Sequence, residues 1–364
     1  MAFRRIRLSE LTFGKPLPWD IFSAPAAGQP VLKKGNVVAP DQLALLDAGL
    51  YAEAGAPASV LQSLNQINRR LERILMDLRD VANADTELRA IARALIDTVE
   101  RDEDIALAAI FLNQISGAYA VRHCTEAAIV VCLVARAMDK DPAELLIVAA
   151  AALTMNVGMV RQTEFFQGRP GALSSEERAL VQRHPADSVD MLRYAGIADE
   201  AWLDLVLLHH ETDDGTGYPQ GRLGDQICQN AKLIGLADRY CAFVSARNYR
   251  RSLLPPTALA RLADESAMPI DQQLMARFTQ QIGAWPPGTL VRLANDETGV
   301  VSSRMDQAGA LRVHVLRRAD GAPLVPAEVR STFDEGCAIA EALHEDSARL
   351  RFTMQHIWGE LAAL

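Results

Sequence analysis

The sequence predicts a mainly α protein, a helical bundle with small β-containing modules at its N- and C-terminal sides. Three observations carry that expectation. Between about residues 84 and 280 apolar residues recur at helical spacing almost without interruption. Both ends of the chain break instead into short apolar pieces separated by Gly and Pro. The composition is 49% hydrophobic, 23% charged and only 5% aromatic over 364 residues, which suits a helix-rich globular chain with a full core.

Residues 1–56 read as a small β-rich module. Pro16-Leu17-Pro18-Trp19, Pro30-Val31-Leu32 and Asn36-Val37-Val38 are its apolar pieces, Gly14, Gly28 and Gly35 its turns, and a short helix Asp41–Leu50 its end. Gly55–Pro57 reads as a hinge. Residues 57–104 form a helical linker, in which Leu64, Leu71 and Leu78 recur every seventh position and Val60, Ile67, Ile74 and Val81 make the matching row. Such a seam serves either to pack the helix on its own domain or to build a coiled coil that makes a homodimer, and its length is marginal for a free-standing one.

Residues 105–284 form the main helical domain. Helical patterns cover Thr86–Arg101, Ile105–Gln114, Thr125–Met138, Ala143–Thr154, Ser175–Ala195 and Glu200–His210, and Ser174 with Glu177 makes a capping box at the start of the fifth. Pro255-Pro256 is expected to end a helix, and Trp285-Pro286-Pro287-Gly288 to close the helical body. In residues 285–364, Thr289–Leu293, Gly299–Ser303 and Leu311–Leu316 read as short strands, and Cys337–Ala363 as a return to helix.

Charge and cysteine usage narrow the function classes. A net charge of −9 argues against a general nucleic-acid binder, though local arginines can still take a small anionic ligand. The five cysteines, Cys124, Cys132, Cys228, Cys241 and Cys337, follow no zinc or disulfide spacing and read as free thiols in a reducing cytoplasm. Met1–Glu10 has three Arg and no apolar core, so no signal peptide is expected there. The most apolar run, Leu145–Val160, holds Thr154, Asn156 and Gly158 and reads as an Ala-rich buried helix, not a membrane span. A cytoplasmic protein without a membrane partner is the expectation.

Four of the seven histidines, His123, His184, His209 and His210, fall between positions 123 and 210, and Asp238 follows an apolar helical run. Imidazole and carboxylate groups that project from several helices into one bundle core are how helical proteins hold transition metals. Any one of them alone reads more naturally as structural. The order of the set, together with the segment His209-His210-Glu211-Thr212-Asp213-Asp214-Gly215-Thr216-Gly217-Tyr218-Pro219, changes that.

This segment resembles the HD-GYP family, metal-dependent relatives of the HD phosphohydrolases that hydrolyse cyclic di-GMP. The family pattern HHExxDGxGYPxG is met in full through Gly221, and Ala237-Asp238 and Ser245-Ala246-Arg247-Asn248-Tyr249-Arg250 resemble its later segments. The resemblance covers roughly residues 105 to 255, and Gly14–Tyr51 and Pro287–Val301 more weakly resemble modules that flank the domain in some members. It implies an HD-type helical bundle, and His123, His184, His209, His210 and Asp238 as metal ligands. It also implies Arg247, Arg250 and Tyr218 as ligand or phosphate contacts, and Asp214, Gly215, Gly217, Tyr218 and Pro219 as a loop presented to partner signalling domains.

The family's HDxGK segment, aligned on its glycine, reads here Met155-Asn156-Val157-Gly158-Met159. Met155 is a soft, uncharged stand-in for a histidine. Asn156 keeps the shape of the bridging aspartate without its charge, and Met159 removes a lysine. Tyr119 stands where some members carry a glutamate for a third metal. The resemblance therefore implies one divalent transition metal (Fe, Mn, Zn or Ni) on His184, His209 and His210, and not a two-metal site. Two metals about 3.5–4 Å apart activate water and neutralise phosphate together, so hydrolysis should be impaired. A cyclic di-GMP binding module or a protein-interaction module is expected, the alternative being an active phosphodiesterase.

Overall fold

In the computed structural model, residues 3–6, 20–23, 29–33, 36–37, 50–53, 58–166, 173–245, 252–264, 271–306 and 308–364 are described. They fall into two compact units, Met1–Ala58 and Ser59–Leu364. In the first, strands β1 (Phe3–Ile6), β2 (Ile21–Phe22) and β3 (Leu50–Glu53) form an antiparallel sheet in the order β1-β3-β2, with Phe3 opposite Glu53 and Ile21 opposite Ala52. The turns at Gly14, Gly28 and Gly35, most of the expected helix Asp41–Leu50 and the Gly55–Pro57 hinge lie outside the described residues; Leu50 itself opens β3.

The second unit is built on α1 (Val60–Met76), α2 (Ala84–Arg101), α3 (Glu103–Phe111), α4 (Tyr119–Ala137), α5 (Pro142–Thr154), α6 (Val160–Phe166), α7 (Ser175–Tyr194), α8 (Glu200–Leu208), α9 (Gln229–Val244), α10 (Pro255–Asp264) and α11 (Gln272–Ile282). Ser59 caps α1 by accepting from the Gln62 N–H, and Ser174 with Glu177 closes the capping box on α7. Helix α4 is the axis. Its residues Ala127–Ala135 are buried on every side, and it packs chiefly on α5 and α9. The run Ala149–Ala152 of α5 is fully buried, its small side chains letting the two backbones approach. The stretch Pro142–Thr163 is apolar enough to cross a membrane by composition, but 72% of its most apolar 18-residue window is buried inside the protein, as a core helix would be.

Both heptad rows of α1 enter this same core. Val60, Leu64, Ile67, Leu71 and Ile74 are buried, followed by Leu78 beyond the helix, and α1 packs on α2, α3 and α4 of its own chain. Two buried asparagines on α1 add polar contacts. Asn65 donates to the Gln114 carbonyl and accepts from the Ser116 N–H (3.1 and 2.9 Å). Asn68 donates to the Ser116 carbonyl and accepts from Thr125 (both 2.7 Å). The turn before α4 is thus tied to α1.

Two helix-end expectations need correction. Pro255-Pro256 opens α10 and does not end a helix; proline suits the first turn, where its missing N–H would have no partner. The Cys337–Ala363 tail is not continuous helix. Ile339–Leu343 is a strand, β8, and the short α12 (Glu345–Ala348) and α13 (Met354–Trp358) and a 3-10 turn at Gly359–Ala362 follow. Pairing with β4 (Leu290–Leu293), where Leu290 faces Leu343, outweighs the weak helical pattern there. With β5 (Thr298–Ser303), β6 (Arg312–Arg317) and β7 (Pro323–Ser331) the sheet is antiparallel in the order β7-β6-β5-β4-β8. Arg304, just past β5, fastens the sheet to the bundle through Asp104 (2.9 Å) and Glu103 of α3.

Leu71 is fully buried, so Leu71→Ala should cost about 2–5 kcal/mol in urea unfolding. Because its contacts lie within the chain, the midpoint should not move with protein concentration; a concentration-dependent midpoint would place the seam between chains.

Candidate metal centre

Two packed helices, α7 and α8, bring three histidines together. His184 is buried on α7, His209 is the residue that ends α8, and His210 follows it. Their ligand atoms all lie within 4.8 Å of one another. The His184 Nδ1–H donates to the Val181 carbonyl at 2.6 Å, and the His209 Nδ1–H to the Val206 carbonyl at 2.7 Å. A carbonyl can only accept, so both rings are fixed as Nδ1–H tautomers with the lone pair on Nε2. These two Nε2 atoms face each other at 3.3 Å.

A proton between them would relieve the repulsion, but burial opposes it. Burial, with the neighbouring His209, pushes the His184 imidazolium down to about 3, and burial also lowers His209 and takes His210 well below the ordinary histidine value. Three neutral rings with converging lone pairs suit a cation. Two nitrogens each about 2.0–2.1 Å from a tetrahedral ion stand about 3.3–3.4 Å apart, the separation found here. Asn156, after α5, is 3% exposed, and its Oδ1 has no hydrogen-bond partner among the described residues. This buried orphan oxygen belongs to a turn that packs on the His184 stretch of α7, and an unmet oxygen there is compatible with a metal ligand.

The front half of the site is different. His123 on α4 and Asp238 on α9 contact each other, Nε2 to Oδ1 at 2.7 Å, and Asp238 Oδ2 lies 4.0 Å from His210 Nε2. Burial raises the Asp238 carboxyl, but the hydrogen bond from His123 and the electrostatic influence of the surrounding histidines outweigh it and hold the group far below the usual carboxylate range. Met155 is fully buried and belongs to the main apolar core. Tyr119 stacks on His123 with ring centres 5.6 Å apart.

The structure therefore brings His123, His184, His209, His210 and Asp238 together, with Tyr218 stacked over His210, and packs the turn that carries Met155 and Asn156 on α7. Burial pushes the Tyr218 phenol up, so it stays protonated. Arg247 and Arg250 lie outside the described residues. Asp214 and Gly215 lie on the loop after His210, where the Asp214 carboxylate is held low by the Thr216 N–H and the Thr212 hydroxyl.

Ser188 was not singled out in the sequence. It accepts from the Gly158 N–H (2.9 Å) and donates to the Met155 carbonyl (3.0 Å), tying α7 to the turn that carries Asn156. Its position four residues after His184, on the same helix face, was the available signal. Glu211 was read only as part of a motif, yet its buried carboxylate accepts from the Gln220 and Arg222 N–H groups (2.6 and 2.9 Å) and folds the following loop back. Gly158 lies so close to α7 that a Cβ there would meet the Ser188 nitrogen at 2.7 Å and the His184 oxygen at 2.8 Å.

A helical bundle with a histidine-lined metal centre at its core is the class that this fold and site define. A family model described as HD domain matches residues 86–274, just over half of the chain. The chain belongs to the HD-domain family, in its HD-GYP group.

Among curated relatives, the cyclic di-GMP phosphodiesterase PA4108 of Pseudomonas aeruginosa is 30% identical over 54% of this chain and 47% of its own length. The 3'3'-cGAMP-specific phosphodiesterase 3 of Vibrio cholerae is 29% identical over 46% and 36% respectively. The cyclic di-GMP phosphodiesterase response regulator RpfG of Xanthomonas campestris is 31% identical over 36% and 35%. The chain thus spans half or less of the curated relatives it matches. Among solved structures, Bd1817, an HDG"Y"P protein from Bdellovibrio bacteriovorus, shares the fold, with a TM-score of 0.50 at 14% identity over 76% of this chain and 98% of that one.

Gly158→Ala should push α7, and His184 with it, away from the other histidines. A thermal melt should record a loss of about 1–3 kcal/mol, the usual cost of overpacking. Unchanged stability would mean that the two backbones separate freely.

Proposed function

We propose that this protein acts in cyclic di-GMP signalling through a single-metal HD-GYP-type domain that binds the nucleotide or a partner, with weak or absent hydrolysis. The observation that carries this reading is the division of the site. His184, His209 and His210 offer neutral donors converging on one point, whereas His123 Nε2 is bonded to Asp238 Oδ1 and Met155 belongs to the apolar core. A divalent metal bound to the three histidines would supply Lewis acidity at that one place. The chain's own residues do the rest: backbone carbonyls orient two imidazoles, and Asp238 keeps a negative charge against the cluster.

The relatives' substrates, cyclic di-GMP and cyclic GMP-AMP, support a cyclic dinucleotide as ligand. Arg247 and Arg250 are the expected phosphate contacts, since a guanidinium fork donates two bonds to a phosphate. The loop Asp214–Pro219 is the proposed partner surface.

Elemental analysis of purified protein should find about one transition metal per chain, with hydrolysis of cyclic di-GMP reduced by orders of magnitude, because a bridging dication and a charged clamp each supply several kcal/mol in such reactions. Two metals with rapid turnover would overturn this reading in favour of an active phosphodiesterase. The pair Met155→His with Asn156→Asp should raise the metal content toward two. Titration with cyclic di-GMP then separates the roles: binding at micromolar concentration marks a nucleotide sensor, and its absence a docking module.

A further inference from the structure

The three histidines are not held alike. His184 and His209 are each fixed by an Nδ1–H bond to a backbone carbonyl, whereas no such carbonyl bonds the His210 ring among the described residues. Against His210 lie the His209 ring, tilted by 42° at 4.1 Å between centres, the His184 ring edge-on at 5.1 Å and Tyr218, the one ring stacked on it, at 4.7 Å and 28°, with Asp238 Oδ2 4.0 Å from Nε2. Tyr218 also meets His184 edge-on at 6.4 Å.

The loop is shaped to deliver that ring. The Tyr218 N–H donates to the His210 carbonyl at 3.2 Å, and Glu211 grips the far side of the loop through the Gln220 and Arg222 N–H groups. Gly217 makes the approach possible. A Cβ there would stand 2.5 Å from the Thr212 nitrogen and 2.6 Å from the His210 oxygen, inside any tolerable contact. Lys232 on α9 anchors the loop's start through Asp213 at 2.8 Å.

We infer that Tyr218 is a positioning residue of the metal centre, its stacked ring fixing the orientation of His210 in place of the carbonyl bond that fixes the other two ligands. The inference rests on the single-metal reading above. It makes the exposed loop and the metal site one mechanical body, so that a partner pulling on the loop would alter the geometry of one ligand and leave two unchanged.

The test compares wild type with Tyr218→Phe, Tyr218→Ala and Glu211→Gln by two readouts. In metal-free protein, long-range proton–nitrogen NMR of labelled imidazoles should show the His210 ring protons shifted upfield by the stack in wild type and Tyr218→Phe, and not in Tyr218→Ala. In cobalt(II)-loaded protein, Tyr218→Phe should keep affinity and the visible absorption band, while Tyr218→Ala loses about tenfold or more in affinity with a shifted band, the usual scale for outer residues of a metal site. Glu211→Gln, which loosens the loop and touches neither ring, should fall between. Should Tyr218→Ala fail to fold, Tyr218→Leu, with bulk and no ring face, takes its place with the same expected losses.

A Tyr218→Ala protein with an unchanged His210 spectrum and unchanged cobalt binding would overturn the inference. Wild type that takes up no cobalt would overturn the single-metal reading instead, and the imidazole spectra of metal-free protein would still decide whether Tyr218 holds His210.

Discussion

Two neutral imidazoles facing each other, lone pair to lone pair, at 3.3 Å are the constraint on which the rest of this structure turns. Each ring is locked in that tautomer by a carbonyl one turn back on its own helix, so neither can swing round to relieve the repulsion. A buried arrangement of this kind is costly in an empty apolar core and favourable around a cation. The neighbouring architecture serves to keep it: α7 is pinned to the Asn156 turn by Ser188, and α8 ends where its last carbonyls are free to receive a ring N–H. Helix α4, buried on every side over Ala127–Ala135, packs on α5, which leads into the Asn156 turn, and on α9, which carries Asp238.

The contrast between the halves of the site is a contrast between two ways of satisfying buried polar groups. At the rear, nitrogens are left open toward a common point. At the front, His123 Nε2 and Asp238 Oδ1 meet each other directly, and Met155 belongs to the apolar core. A hydrogen-bonded pair of this sort offsets part of the desolvation cost of each partner without any ion. On the proposed single-metal reading, this pair leaves no open charge at the front of the core, and a bundle of this family keeps its shape there without a second cation.

Much of this was legible from the sequence, for reasons that differ by element. Amphipathic helices such as α1 and α2 announce themselves through spacing, and the histidine order together with the glycine-tyrosine-proline loop carried the family. The strands Thr289–Leu293 and Gly299–Ser303 were readable because turn residues bracket them. Strand β8 was not, since Ile339–Leu343 takes its form from pairing with β4, a partner nearly fifty residues away. The roles of Ser188 and Glu211 depend on which backbone groups come within reach, and no pattern along the chain encodes that. The His123–Asp238 contact was hidden for a related reason: spacing marks both residues as candidate ligands, and only the fold shows that they bind each other.

The two inward-facing amides of α1 have a consequence for how that helix can move. A seam of leucines and isoleucines alone can slip by a heptad and find equivalent packing. Asn65 and Asn68 forbid this, because a shift along the axis would strand the Gln114 and Ser116 backbone groups and the Thr125 hydroxyl, at about 1–3 kcal/mol for each buried group left unmet. Helix α1 therefore behaves as a keyed shaft: torque or tilt applied to it is delivered to the turn from which α4 starts, and sliding is not available to it.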